Sequence, residues 1–429
     1  MKIVVLTLGC PKNEADAQSL KGKLIERGHQ IITEVDGADL AIIYTCGFIL
    51  DAKEESINEI FRMVNQKKEK NNFKVVAVGC LIQRYYEDFK KEIPEIDGLI
   101  GVESSEKIAD LISDENYFFY SNNMNSICEF TSRETLASHS YIKIGDGCNR
   151  NCSFCSIPSF KGISMSRSTD DIVNEASFLI ENGVKELILV SQDTTQYGLD
   201  LKDKSSLPVL LKRLNELDGE FWIRVLYLHP DHINSELIQT MISLPKVINY
   251  FDIPVQSGSN KILSSMKRIK SSGELRRLFE YIRSLSDDAV IRTTIMVGFP
   301  GETETTFNET LDFIKRVKFD HLGGFVYSKE ENTEAYLMEE SMNSEHAAEL
   351  LNELLNIQEG ISLSFLDKMV GKEYPVLLEK DEGDIFGRNY ALAPDIDNTI
   401  FIDGTYFSKG FVKCRITGVF ENQLEGELI

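Results

Sequence analysis

Gly147-Cys148-Asn149-Arg150-Asn151-Cys152-Ser153-Phe154-Cys155 sets three thiols in the spacing C-x-x-x-C-x-x-C, directly after the alternating apolar run Tyr141-Ile142-Lys143-Ile144. Four cysteines would saturate a zinc ion or an iron-sulfur cluster; three leave one metal position open to a substrate or a small chelator. The loop therefore points to chemistry, and the strand before it sets the fold.

That strand, residues 141–144, is the first of six expected in the middle of the chain, the others being 186–191, 221–228, 248–253, 289–297 and 321–327. Amphipathic helices are expected between them at 169–182, 207–217, 235–243, 260–266, 273–285 and 304–317. Six βα units predict a parallel barrel, complete or partial, with the three-thiol loop on the carboxyl-end face where such barrels do their chemistry. The same face collects Gln192 and Asp193, His229 and Asp231, Gln256 and Ser257, and Gly298-Phe299-Pro300-Gly301-Glu302. Singly each reads as a cap or turn residue, the better reading for Ser257, Pro300 and Glu302; together they line a pocket. Isolated histidines such as His229, His232 and His321 read as packed or hydrogen-bonded rather than as metal ligands.

Upstream, residues 2–8, 40–44 and 74–78 are apolar on both faces and run into Gly9-Cys10, Thr45-Cys46 and Gly79-Cys80. Helical patterns follow at 15–27, 53–68 and 85–91, then a strand at 99–101 and a helix at 105–112. This predicts a doubly wound parallel sheet whose ligand edge lies beyond the carboxyl ends of its strands. One cysteine there would be an ordinary buried side chain. Three at the same topological position predict ligation of a second metal cluster, again one ligand short. The domain is placed at 1–120, and a polar linker at 121–138 contains Asn122, Asn123, Asn125, Thr131 and Ser132, with a short strand near 127–130. Cys128 in the linker reads as structural. Residues 139–369 form the barrel domain with a trailing polar helix at 344–368. In 370–429, five short alternating runs predict a small antiparallel β-barrel, with Cys414 structural inside a strand.

The chain has 46 basic and 68 acidic residues, a formal charge of -22. Tight non-specific binding to nucleic acid depends on Lys and Arg displacing phosphate counterions, so this balance argues against it and for a basic partner. The terminal barrel is acidic as well. No run of about 18 apolar residues offers a membrane span, and Met1-Lys2 leads straight into a core strand without a leader, so a cytosolic protein is expected. In a reducing compartment eight cysteines read as metal ligands or catalytic thiols rather than disulfides.

The three-thiol loop, with Phe154 before its last cysteine, and Gly298-Phe299-Pro300-Gly301-Glu302 resemble the radical S-adenosylmethionine (SAM) superfamily. The three-cysteine first domain, Pro254-Val255-Gln256-Ser257-Gly258-Ser259 and the terminal barrel resemble its methylthiotransferase branch, whose last domain is called TRAM. The resemblance implies a radical SAM (βα)6 partial barrel. It implies two 4Fe-4S clusters: one held by Cys148, Cys152 and Cys155 and chelated by SAM, the other held by Cys10, Cys46 and Cys80 and carrying the sulfur to be transferred. A second SAM would supply the methyl group. Phe154, Gln192, Gln256, Gly298 and Pro300 become candidates for the SAM pocket, the glutamines alternatively for the substrate.

Gly9-Cys10-Pro11-Lys12-Asn13, Tyr227-Leu228-His229-Pro230 and Cys155-Ser156-Ile157-Pro158-Ser159-Phe160-Lys161-Gly162 resemble the group that modifies the β-carbon of an aspartate in ribosomal protein S-twelve. A basic ribosomal protein agrees with the acidic charge. An electron donor and a sulfur source are further implied partners, neither identified by the sequence. The alternatives are a tRNA adenosine methylthiotransferase and a non-catalytic zinc or iron-sulfur scaffold.

Overall fold

The first third of the chain runs β1 (Lys2–Thr7), α1 (Pro11–Glu26), β2 (Gln30–Ile31), β3 (Leu40–Thr45), α2 (Leu50–Lys67), β4 (Lys74–Gly79), α3 (Cys80–Glu92), β5 (Gly98–Ile100), α4 (Ser105–Ser113) and β6 (Phe118–Phe119). The computed structural model describes residues 1–429 except 69, 71, 123, 125, 134–137, 382–383, 403–407 and 409. The strands form one parallel sheet in the order β2-β1-β3-β4-β5-β6. Successive side chains of a strand point to opposite faces. Ile3 and Val5 accordingly join Leu20, Leu24 and Ile108 of α1 and α4, whereas Val4, Ala41 and Ile43 join Ile60, Met63 and Leu81 of α2 and α3. In this strand order the chain reverses direction between β1 and β3, where a doubly wound sheet opens a crevice. Cys10 and Cys46 follow those two strands.

Helix α3 starts at Cys80 itself, not near residue 85 as the pattern predicted; Tyr85 has non-helical dihedrals (φ -130°, ψ 33°) where two helical segments join. Residues 127–130 are not a strand, because the Phe130 N–H donates to the Asp171 carboxylate at 2.7 Å instead of to a neighbouring strand. Nor is 121–138 a free linker where it is described. Ser126 and Arg133 are buried, and Arg133 donates to Glu175 of the barrel domain and to Gln18 of α1. Asn123, Asn125 and 134–137 lie outside the described residues.

The middle domain continues with β7 (His139–Lys143), β8 (Gly145–Asp146), α5 (Ile157–Lys161), β9 (Met165–Ser166), α6 (Thr169–Glu181), β10 (Glu186–Val190), α7 (Leu207–Asn215), β11 (Trp222–Val225), α8 (Ser235–Ser243), β12 (Tyr250–Asp252), α9 (Asn260–Ser265), α10 (Ser272–Leu285), β13 (Val290–Val297), α11 (Glu304–Val317), β14 (His321–Val326) and α12 (Ser344–Leu366). The six long-expected strands are all parallel, in two three-stranded sheets, β7-β10-β11 and β12-β13-β14. The Ile248 N–H donates to Ile223 O at 3.0 Å and the Leu228 N–H to Asp252 O at 2.9 Å, which stitches the sheets into one arc. Strand β11 stops at Val225, short of the expected 228, and Tyr227 beyond it has a left-handed backbone (φ 61°). The two-residue antiparallel pair β8–β9 was not expected.

The last domain is a closed barrel of β15 (Glu373–Asp381), β16 (Asp384–Arg388), β17 (Ile400–Ile402), β18 (Phe411–Phe420) and β19 (Gln423–Leu428), ordered β15-β16-β17-β19-β18. It is antiparallel except where β17 and β19 pair in parallel. Cys414 is buried inside it. Between β16 and β17 the chain leaves this barrel, and Ala391, Leu392 and Ala393 pack among Tyr141, Ile188, Leu226, Tyr250 and Val290 inside the arc. Arg224 donates to the carbonyls of Tyr390 and Leu392, Tyr141 to Asp395 at 2.7 Å and Tyr250 to Asp397 at 2.5 Å. Tyr250, Val290 and His321, which bonds Ala391 O at 2.8 Å, are all first residues of their strands or next to them. The inserted segment thus closes the amino end of the arc and leaves the carboxyl end open.

Candidate active site

At the open end, β8 and β9 pinch the three-thiol loop at its base. Gly147 has φ 76°, and a Cβ there would lie 2.0 Å from Ile163 O, so only glycine fits. The Cys148 N–H donates to Gly162 O at 3.1 Å and the Cys155 N–H to Cys152 O at 3.1 Å. Ser153 is tied to α9 and to the segment after β14: its N–H reaches Met266 O at 3.3 Å, its hydroxyl Ser265 O at 2.7 Å, and its carbonyl accepts from Ala335 at 2.8 Å. The Cys148 sulfur accepts from the Arg150 N–H at 3.4 Å and the Gln196 amide at 3.5 Å. Phe154 is buried with Ile262, Met266, Met296, Phe299, Tyr327 and the half-buried Cys152 and Cys155, its ring edge-on to Phe299 and 5.8 Å from the Arg268 guanidinium.

The thiols of the first domain converge too. A Cβ on Gly9 would meet the Cys46 Cβ at 2.6 Å, and Arg84 of α3 donates to Gly47 O at 2.5 Å. The same guanidinium reaches Ser156 Oγ at 3.4 Å and Glu330 at 2.8 Å, joining the Cys46 turn to the Cys155 turn. Phe160 and Ile157 of α5 pack on Cys80 and Val102, so the helix that follows Cys155 leans on the helix that starts with Cys80. A buried ladder of charges crosses the same junction. Lys143 pairs with Asp16 of α1 and with Asp146, and Lys161 pairs with Asp146 at 2.9 Å. Burial would raise the Asp146 carboxyl, but Lys161 and Lys143 hold it well below the usual carboxylate range.

Burial pushes the thiols up, Cys46 to about 11 and Cys80 and Cys155 to about 12, with Cys148 raised for the same reason. Without a cation they are neutral; a metal binds by displacing the proton. Among the described residues no three His, Cys, Asp or Glu side chains gather tightly enough for a single metal ion. A four-iron cube gives each thiolate its own iron, and three thiols on one turn, buried or half-buried and with N–H donors on the Cys148 sulfur, suit that group.

Buried polar atoms at the open end that lack a hydrogen-bond partner among the described residues include Gln192 Oε1, Gln256 Oε1, Arg150 Nη2, Arg268 Nε and Tyr327 OH. Buried polar groups are normally satisfied, so these fit a polar ligand lying on an apolar bed of Phe154, Phe299 and Met266. Gln192 spends its amide N–H on Asp146. Gln256 sits in a left-handed backbone (φ 74°) held by bonds to Thr294 and Met296. Gly298 and Pro300 form a buried turn: the Gly298 N–H donates to Glu302 at 2.6 Å, and a Cβ there would lie 2.8 Å from the Ala347 Cβ, so approach of α12 accounts for that glycine. Burial pushes the Glu302 carboxyl up to about 7.

Asp193 holds Arg150 at 2.7 Å, and Asp231 caps the backbone of Ile269 and Lys270. His229 accepts from the Asp231 N–H and meets Arg268 at 2.5 Å. Burial and the Arg268 charge lower it to about 2, so it stays neutral. Ser257 bonds Thr310 in the interior.

Sequence reasoning assigned no role to Arg150, Tyr327, Lys161 or Lys12. Lys12 is half-buried at the start of α1, with its ammonium 3.9 Å from the centre of the Tyr227 ring. Lys12 and Lys161 stand inside the stretches quoted for resemblance, the only signal that could have found them. A cavity of about 480 Å³ opens at Cys10 and runs between Glu14, Gln18, His139, Tyr141 and Asp395. A larger one of about 650 Å³, lined by Arg283, Lys318, Lys368 and Tyr390, includes no thiol-loop residue.

Residues 2–101 match the family described as uncharacterized protein family UPF0004, 142–314 the radical SAM superfamily and 370–429 the TRAM domain. Over the whole of both chains the protein is 49% identical to ribosomal protein uS12 methylthiotransferase RimO of Thermosipho africanus and 50% to that of Thermotoga maritima. The Petrotoga mobilis protein of the same name is 46% identical over 100% of this chain and 99% of its own. Among solved structures, the radical SAM methyltransferase TsrM of Kitasatospora setae, with cobalamin and a [4Fe-4S] cluster bound, superposes with a TM-score of 0.57 at 12% identity, covering 76% of this chain and 74% of its own. The cobalamin-dependent SAM radical enzyme OxsB gives 0.53 at 13% identity, covering 84% and 56%. At such identities these two likenesses concern the fold alone.

Proposed function

The chain belongs to the ribosomal protein uS12 methylthiotransferase RimO family of radical SAM enzymes, and from that membership we propose that it adds a methylthio group to the β-carbon of an aspartate of uS12. It is a transferase that uses SAM and a 4Fe-4S cluster. We assign that cluster to Cys148, Cys152 and Cys155, and a second cluster to Cys10, Cys46 and Cys80. The observation that carries the assignment is the meeting of the two three-thiol loops across Arg84, Phe160 and Lys161, each one ligand short of closure.

When bound, the clusters and SAM supply a hydrogen-abstracting carbon radical at the Cys148 loop and a methylthio group at the Cys10 loop. The chain's own residues hold and shield. Phe154, Phe299, Met266 and Tyr327 exclude water around the SAM site, which protects a reactive carbon from side reactions. Gln192 Oε1, Gln256 Oε1 and Arg150 Nη2 offer unsatisfied polar contacts to SAM or substrate. Gly298 and Pro300 shape the wall through the turn that Glu302 closes. The Asp16–Lys143–Asp146–Lys161 ladder fixes the spacing of the two loops.

A uS12 substrate is basic, and the formal charge of -22 supports that choice over tRNA. Among the described residues no helix is long and apolar enough to cross a membrane, and work on a ribosomal protein belongs in the cytoplasm. An electron donor and a sulfur source complete the reaction. The test is to incubate reconstituted enzyme with reductant, sulfide and SAM, separately with uS12 and with tRNA: methylthiolated uS12 and unmodified tRNA are expected, and modified tRNA alone would overturn the reading.

A further inference from the structure

The start of α1 is aimed firmly. The Asn13 amide donates to Leu8 O at 2.7 Å and to Thr45 O at 3.3 Å, so the turn carrying Cys10 and Lys12 is tied to the ends of both β1 and β3. The Lys12 ammonium stands 3.9 Å from the Tyr227 ring centre. Among the described residues it has no hydrogen-bond or ion-pair partner, unlike Lys143 and Lys161 nearby, which Asp16 and Asp146 satisfy. Tyr227 is itself locked in a left-handed backbone, its N–H donating to Asp252 at 2.8 Å and its carbonyl accepting from Thr194 at 3.1 Å. An aromatic face orients a cation but leaves its N–H donors unused. What remains is a cation with free donors, two residues from a proposed cluster ligand and facing the carboxyl end of β11.

We propose that Lys12 receives the side-chain carboxylate of the substrate aspartate. This rests on the reading of uS12 as substrate. The carbon that loses its hydrogen is bonded directly to that carboxylate, so anchoring the carboxylate on Lys12 fixes the carbon between the Cys148 and Cys10 loops. An adenine has no anion to place there, which makes Lys12 a determinant of substrate class as well as of position.

The test is binding of uS12 and of its Asp→Asn form, changed at the modified residue, to cluster-loaded enzyme. Wild type should prefer the aspartate form by about tenfold, as expected for a charge-assisted bond. Lys12→Gln should bind the two forms within about twofold, and Lys12→Arg should keep most of the preference. Lys12→Gln with an undiminished preference would overturn the proposal. So would Lys12→Arg behaving like Lys12→Gln, or Lys12→Gln losing iron, since the lysine would then serve the cluster turn. Wild type that modifies uS12 yet binds both forms alike overturns the proposal and leaves the function standing; wild type that leaves uS12 unmodified overturns both.

Discussion

A buried thiol resists ionisation, and burial raises Cys46, Cys80, Cys148 and Cys155 all together. Removing one ligand should therefore empty one site and spare the other. Cys148→Ala is expected to lower iron from about eight to about four per chain and to abolish SAM cleavage. Cys46→Ala should lose the same iron, keep SAM cleavage and lose methylthio transfer; iron analysis alongside a SAM cleavage assay reads both. Glu302 offers a test by pH. Its carboxyl moves from 4.5 to about 7 on burial at 2% exposure, so the folded protein binds that proton more tightly than the unfolded chain. Its contribution is fully present below about pH 4.5 and is lost as pH rises to about 7, roughly 3 kcal/mol in all. Glu302→Gln, which can still accept from Gly298, should flatten that fall in a series of thermal midpoints; an unchanged slope would contradict it. The six proposed cysteine ligands could be read from spacing because cysteines at strand ends are informative in themselves. Arg150, Tyr327 and Lys12 could not, since a lone Arg, Tyr or Lys is ordinary until the fold shows it unsatisfied.

Among elements, long strands carried their own signal. β1, β3 and β4 are apolar on both faces because helices cover both, and that composition alone predicts a parallel sheet. The pair β8–β9 has two residues a side and no periodicity; it exists because the chain returns from α5 to where it left. The parallel β17–β19 pairing was equally hidden, since barrel closure is a long-range event. The clamp rests on Gly147. Gly147→Ala would force a Cβ against Ile163 O in a left-handed backbone, at a cost of about 1–3 kcal/mol or more. A lower thermal midpoint and loss of about four irons per chain are expected; a fully loaded, equally stable variant would contradict the clamp.

At the scale of the whole molecule, the terminal barrel and the arc share one core. Glu186, Arg224 and Arg388 are all fully buried, with Glu186 pairing Arg224 at 2.7 Å and Arg388 at 2.6 Å across the domain boundary. Glu186→Ala leaves the buried Arg224 with backbone carbonyls but no carboxylate and Arg388 with the carboxylate of Glu379 alone, and a loss of about 3 kcal/mol with easier proteolytic release of the terminal barrel is expected; unchanged protease resistance would contradict it. Domain order and class were legible from composition and period, whereas the insertion of Ala391, Leu392 and Ala393 into the arc was not, because a short apolar segment between strands looks like any loop. Two open clusters are proposed to act together on one aspartate of uS12. Mass spectrometry of uS12 from cells with and without this gene tests this most directly. A methylthio group on a single aspartate, absent in the deletion, restored by the intact gene and not by Cys148→Ala or Cys46→Ala, is expected; a modification that persists in the deletion would contradict the proposed function.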